Sequence, residues 1–198
     1  MYSCIQQTPT LTDRSEIVMS LLMLKAFIPG KFTDVTSIVC RPDQIGTPDV
    51  TITASRLRGL RLDLLGWNNR YAAIRASKPK SLPGGAEYDS HCKVIATYLC
   101  CMIISTRLLA ALSSTERPEL EKMALLLADQ MFVLEEEVRD VSVQTTLFLA
   151  QTLGVSHSVK MTTHDWDGNG RESDRVDSVI ARSTFETWNN ICGRTLFP

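Results

Sequence analysis

Val94-Ile95-Ala96-Thr97-Tyr98-Leu99-Cys100-Cys101-Met102-Ile103-Ile104-Ser105-Thr106 carries no charged side chain. From Val94 to Ile104 its apolar residues would fall on nearly all sides of a helix, whereas a helix lying on a surface keeps one polar stripe. A helix of this kind is stable only when other helices surround it. The two turns before it, from Glu87, are polar, and the apolar character continues to Leu112. The stretch from about 87 to 112 is therefore placed at the centre of an all-α fold, a single compact bundle of about six to seven helices. The run is also too short to cross a hydrocarbon core of about 30 Å, which takes about 20 residues.

Working outward, the flanking segments repeat the helical period. Leu57, Leu60, Leu64, Trp67, Tyr71 and Ile74 recur at spacings of three and four, which predicts a helix from about Thr53 to Ser77. Leu120, Ala124, Leu127, Met131, Leu134 and Val138 do the same after Thr115 and Pro118, which can start a helix. Glu135, Glu136 and Glu137 fall near the C-terminal end of that helix, where the dipole disfavours anions, so a positive neighbour is expected. Asp13 and Glu16 can form a capping box for an opening helix with Ile17, Leu21 and Leu24 on one face, stopped by Pro29-Gly30. Residues 31–50, with Pro42, Gly46 and Pro48, read as a loop, with a short extended piece at Val35 to Val39. Pro83-Gly84-Gly85 marks a turn. Val141 to Leu153 reads as a helix closed by Gly154, followed by a short helix to about Met161; a polar loop follows over 162–172, and a last helix from Glu172 to Cys192 carries Val176, Val179, Ile180, Trp188 and Ile191. The expectation is one helical domain over 1–198, with residues 1–12 a flexible N-terminus. Neither a sustained strand pattern nor a repeat is visible.

Composition narrows the function classes. The 198 residues hold 44% hydrophobic and 22% charged side chains, with a net charge of -1, so no overall positive field draws the chain to nucleic acid or to an acidic membrane. The charges are uneven, however. Arg56, Arg58, Arg61, Arg70, Arg75, Lys78 and Lys80 stand against Asp63 alone between Thr51 and Leu82. Between Glu116 and Asp140 the acids outnumber Arg117, Lys122 and Arg139. The expectation is that the two segments pack near each other and partly neutralise, or are simply solvated faces, weighed against a basic binding surface. Cys4, Cys40, Cys92, Cys100, Cys101 and Cys192 form no C-x-x-C pair, so neither a zinc site nor a redox motif is spelled out; Cys100 and Cys101, adjacent in an apolar helix, suit small buried side chains in a reducing compartment. Met1 to Thr12 has no secretory pattern. The expected location is intracellular, nuclear or cytoplasmic.

Few residues carry chemistry. His91 has Glu87 four residues before it, on the same helical face, and Asp89 nearby. A histidine paired with a carboxylate at the mouth of a helical pocket can act as a general acid or base, so His91, Glu87 and Asp89 are the catalytic candidates, weighed against an exposed ion pair. The aromatics Trp67, Tyr71, Tyr88, Tyr98 and Trp188 could line an apolar pocket between helices, weighed against a place in the core. Asp165, Asp167 and Asn169, with Gly170, match the first half of a calcium-binding loop, but Glu172 and Val176 stand where an aliphatic residue and a bidentate acid are needed. A polar surface loop is the preferred reading there. No nucleophile elbow, phosphate loop or dinucleotide fingerprint is present, and no cofactor is implied.

A set of packing motifs resembles one family. Arg61-Leu62-Asp63-Leu64-Leu65-Gly66-Trp67 with Tyr71, then Leu82-Pro83-Gly84 leading through Ala86-Glu87-Tyr88-Asp89 into Cys100 to Leu112, is similar to the C-terminal half of fungal transcription factors of the six-cysteine binuclear zinc-cluster family. Leu134-Glu135-Glu136-Glu137-Val138-Arg139, Leu147-Phe148-Leu149-Ala150-Gln151 and Phe185-x-x-Trp188 with Gly193-Arg194 resemble that family's tail. The family reads DNA through a short cluster of six cysteines, a spacing absent here, where the cysteines are scattered from Cys4 to Cys192. The resemblance thus implies a regulatory, effector-sensing region without its DNA-binding part, acting through a protein partner or homodimer, with no direct nucleic acid and no membrane. The competing expectation is a helical protein that binds an apolar small molecule, or a cofactor-free enzyme of secondary metabolism, a cyclase or isomerase. A cavity reaching both Trp67 and His91 separates the two, because an interaction module should have a filled core and an exposed apolar patch.

Overall fold

The computed structural model describes residues 11–41, 46–76, 82–166 and 179–196. Among them it has seven helices and no strand: α1 (Leu11–Ala26), α2 (Ile28–Cys40), α3 (Thr47–Ala76), α4 (Ala86–Leu112), α5 (Arg117–Arg139), α6 (Val143–Trp166) and α7 (Arg182–Leu196). The all-α bundle around a central apolar helix is as expected. Every residue of α4 from Ala96 to Leu112 is buried, because α1, α2, α3, α5 and α6 all pack on it. By length and composition α4 could cross a membrane, yet 83% of its most apolar stretch is covered by its neighbours.

The apolar stripes read from the sequence are the faces turned to the core. Leu57, Leu60, Leu64, Trp67 and Tyr71 of α3 and Leu120, Ala124, Leu127, Met131 and Val138 of α5 are all buried. At the C-terminal end of α5 the positive neighbour comes from the same helix, as Arg139 pairs with Glu135 one turn back. Between α3 and α4, Gly85 N–H bonds to the Leu82 carbonyl at 3.1 Å, and Gly84 has φ of 77°. Proline second and a positive-φ glycine third is the pattern of a type II turn. The basic and acidic segments meet at one end, where Arg58 of α3 pairs with Glu116 just before α5.

Several boundaries differ from the sequence reading. Residues 31–50 are not a loop throughout: α2 runs to Cys40 and α3 starts at Thr47. Pro29 opens α2 instead of ending α1, since a first-turn proline lacks an N–H that would have no partner there and its φ suits a helix. Val35 to Val39 is helical and, with Ile28, forms a buried stripe of Ile28, Val35, Ile38 and Val39. Gly154 does not close a helix, because α6 is continuous from Val143 to Trp166 and overruns the start of the expected 162–172 loop. Gly154, Val155, Ser158, Val159 and Thr162 are buried on one face, and that burial outweighs the intrinsic cost of a mid-helix glycine, about 1 kcal/mol. The expected start of the last helix at Glu172, with Val176, lies outside the described residues; α7 begins at Arg182, and residues 179–181 before it are not helical. Val179 and Ile180 lie before it, and Ile180 N–H caps the end of α4 by donating to the Ala111 carbonyl at 2.8 Å.

Candidate functional site

The polar first turns of α4 are bordered by two clefts. One, of about 180 Å³, is lined by Ile17 and Val18 of α1, Tyr71, Ile74 and Arg75 of α3, and Glu87, Ser90, His91 and Val94 of α4. The other, about 470 Å³ and more open, is lined by Val18, Leu21 and Leu22 of α1, Ala86, Asp89, Ser90, Lys93, Val94 and Thr97 of α4, and Gln144 and Phe148 of α6. Val18, Ser90 and Val94 belong to both, so the two are contiguous and α1 is a wall of each.

The smaller cleft gathers His91, Glu87 and Tyr71 from the sequence candidates. His91 Nδ1 lies 2.9 Å from the Tyr71 hydroxyl, and the two rings stack at 5.7 Å. Glu87 pairs with Arg75 at 3.5 Å. Burial first, and the guanidinium of Arg75 second, hold the His91 imidazole below its ordinary proton affinity. The histidine is thus kept neutral beside a phenol, an arrangement able to accept a proton weakly.

Asp89 does not join His91. Two residues apart on a helix point to opposite sides, and Asp89 Oδ2 accepts a 2.9 Å hydrogen bond from Ser142 Oγ. Ser142 also accepts from the Thr145 N–H and so caps α6. Asp89 Oδ1 is buried without a hydrogen-bond partner, in the wall of the larger cleft.

The aromatic candidates split into two groups. Trp67 is 0% exposed, stacked between Tyr71 at 5.0 Å and Tyr98 at 5.6 Å, and its Nε1 donates to the Ile17 carbonyl at 2.7 Å. Trp188, also 0% exposed, packs against Trp166, Phe185 and Phe32 and donates to Ser158 Oγ at 3.0 Å. Neither tryptophan lines either of these two clefts; the smaller one reaches His91 and Tyr71 and stops short of Trp67. Tyr88 packs half-buried at the edge of the core, and burial together with its Cys92 neighbour raises its phenol. Asp165 lies exposed in the last turn of α6, while Asp167 and Asn169 fall outside the described residues. Among the described residues no three His, Cys, Asp or Glu side chains converge as metal ligands would.

One feature of the core escaped the sequence reading. Arg107 is 0% exposed, ion-paired with Glu121 of α5 at 2.7 Å, and donates to Thr162 Oγ1 at 2.9 Å and to the Val159 carbonyl at 3.2 Å on α6. Its guanidinium carbon lies 4.2 Å from the Trp166 ring centroid. The only sequence signal is an arginine set between Thr106 and Leu108 in the apolar part of α4. No family model matches the chain, and no curated protein and no solved structure matches it either.

Proposed function

We propose that the chain is a non-enzymatic regulatory or interaction domain, of the kind its packing motifs resemble in zinc-cluster regulators, without the DNA-reading part and acting in the nucleus or cytoplasm. The observation that carries this reading is a filled aromatic core beside an open, apolar-walled cleft. Trp67 and Trp188 are spent on packing and line neither of the two clefts. The larger cleft instead offers Val18, Leu21, Leu22, Val94 and Phe148 as apolar contacts, with Asp89, Lys93 and Gln144 as a polar margin. On α1, which walls the cleft, Met19, Leu22 and Met23 are 58%, 46% and 63% exposed. A groove of that composition suits an amphipathic helix of a partner protein, and flexible methionines adapt to one. A photoreactive residue in place of Leu22 or of Leu147, which is also exposed, tests this in the source cells. The expected result is a covalent adduct with a second polypeptide, and an adduct of twice the chain's mass would identify the partner as another copy. Uncross-linked chain at both positions would overturn the reading.

A second reading is favoured by one observation, the His91–Tyr71 contact in the smaller cleft. Under it a small apolar molecule occupies that cleft and His91 is its base or hydrogen-bond acceptor. His91→Ala would then abolish retention of a metabolite seen by native mass spectrometry while leaving the fold intact.

A further inference from the structure

The rings of His91, Tyr71, Trp67 and Tyr98 form one continuous stack, with centroids 5.7, 5.0 and 5.6 Å apart and successive planes inclined by 16°, 13° and 29°. The His91 end opens into the smaller cleft. The middle of the stack holds α1, through the Trp67 N–H on the Ile17 carbonyl. Ile17 and Val18 in turn line the cleft in which His91 sits, so α1 contributes to the partial burial of the imidazole. The polar groups around that imidazole are the Tyr71 hydroxyl and the Arg75 guanidinium from α3 and Glu87 and Ser90 from α4, whereas α1 brings only apolar side chains to the lining.

We propose that α1 is a proton-released lid: a proton taken up by His91 favours a state in which α1 lifts from α3 and α4, opening the smaller cleft and reshaping the larger one that shares its wall. The proposal rests on reading the larger cleft as the docking surface and adds the regulation of that surface. Its sign follows from linkage. Burial is the first cause that lowers proton affinity at His91, with Arg75 the second, against an ordinary value of 6.5. Lifting α1 relieves the first. The open state then binds more protons than the closed one, so falling pH favours opening. Arg75 still lowers the proton affinity of His91 in the open state, so the closed state is fully favoured above 6.5 and loses ground as pH falls below that value. The loss ends once His91 is protonated in both states.

Amide hydrogen exchange of the full chain at pH 5.5 and 7.5, corrected for the intrinsic pH dependence of exchange, tests this. Protection of the Ile17–Leu24 amides is expected to fall severalfold at the lower pH, while that of Ile103–Leu109 in α4 stays unchanged. His91→Gln is expected to erase the difference. Equal protection of α1 at the two pH values in the unsubstituted chain, or a difference that survives His91→Gln, would overturn the proposal. Should His91→Gln fail to fold, Arg75→Gln serves instead: with the second cause removed, the transition moves to higher pH, and an unmoved transition counts against the lid. The two readings fail separately, because cross-linking from Leu22 at constant pH reports docking whether or not α1 responds to protons.

Discussion

The Arg107 side chain is fully buried, and a guanidinium in that position is stable because α5 and α6 supply an anion, a hydroxyl and a carbonyl around it. The arrangement ties three helices at one point. Removing one partner leaves the other charge stranded, so Glu121→Leu is expected to lower stability by about 3 to 5 kcal/mol. The double change Arg107→Met with Glu121→Leu should cost much less than the sum of the two single changes, and urea denaturation of the three variants measures the difference. A deficit that simply adds would mean that the pair is not coupled. In the sequence this arginine reads as the end of an apolar run, since its partners come from residues 14 and more than 50 positions away and no local spacing announces them.

At the scale of the element, propensity and burial compete, and α3 shows the outcome when burial is absent. Gly59 and Gly66 face open space on its outer side, with nothing within 4 Å of an added Cβ. Gly59→Ala and Gly66→Ala are each expected to raise stability by about 0.5 to 1 kcal/mol, read as a higher denaturation midpoint; a fall at either position would show that the glycine itself makes a contact. Gly84 is the opposite case. Its φ of 77° is a left-handed conformation, and an added Cβ would lie 3.3 Å from the Val141 carbonyl oxygen. Gly84→Ala is expected to destabilise by about 1 to 3 kcal/mol, and an unchanged melting temperature would contradict the turn. The same competition decided α2 and α6. Pro29 and Gly154 look like stops when only the chain is read, yet one sits where a proline is tolerated and the other on a buried face.

For the whole molecule the consequence of a filled core is that its reactive groups are sequestered and its large side chains are structural. Burial raises the thiols of Cys100, Cys101 and Cys192, the second to about 11 and the third to about 12, so none is a thiolate at neutral pH. Of the five cysteines among the described residues, only Cys40 is not buried. A thiol reagent should therefore label Cys40 in the native protein and the other four only on unfolding; native labelling of Cys100 or Cys101 would mean that α4 is not enclosed. Leu64→Ala and Leu127→Ala, in α3 and α5, are each expected to cost about 2 to 5 kcal/mol, and unaltered melting temperatures would refute the bundle. By itself the sequence determined the fold class, the central helix and the core faces of α3 and α5, because helical periodicity and all-round apolarity are local properties that solvent exclusion acts on directly. It also singled out His91, Glu87 and Tyr71, which the fold does bring into one cleft. Only the tertiary structure decided that Asp89 turns away to Ser142, that Trp67 and Trp188 are packed in the core, that Pro29 begins a helix, and that Arg107 is ion-paired in the core. Each of those depends on which other helix arrives at that face, and contacts between segments distant in sequence leave no period along the chain to be read.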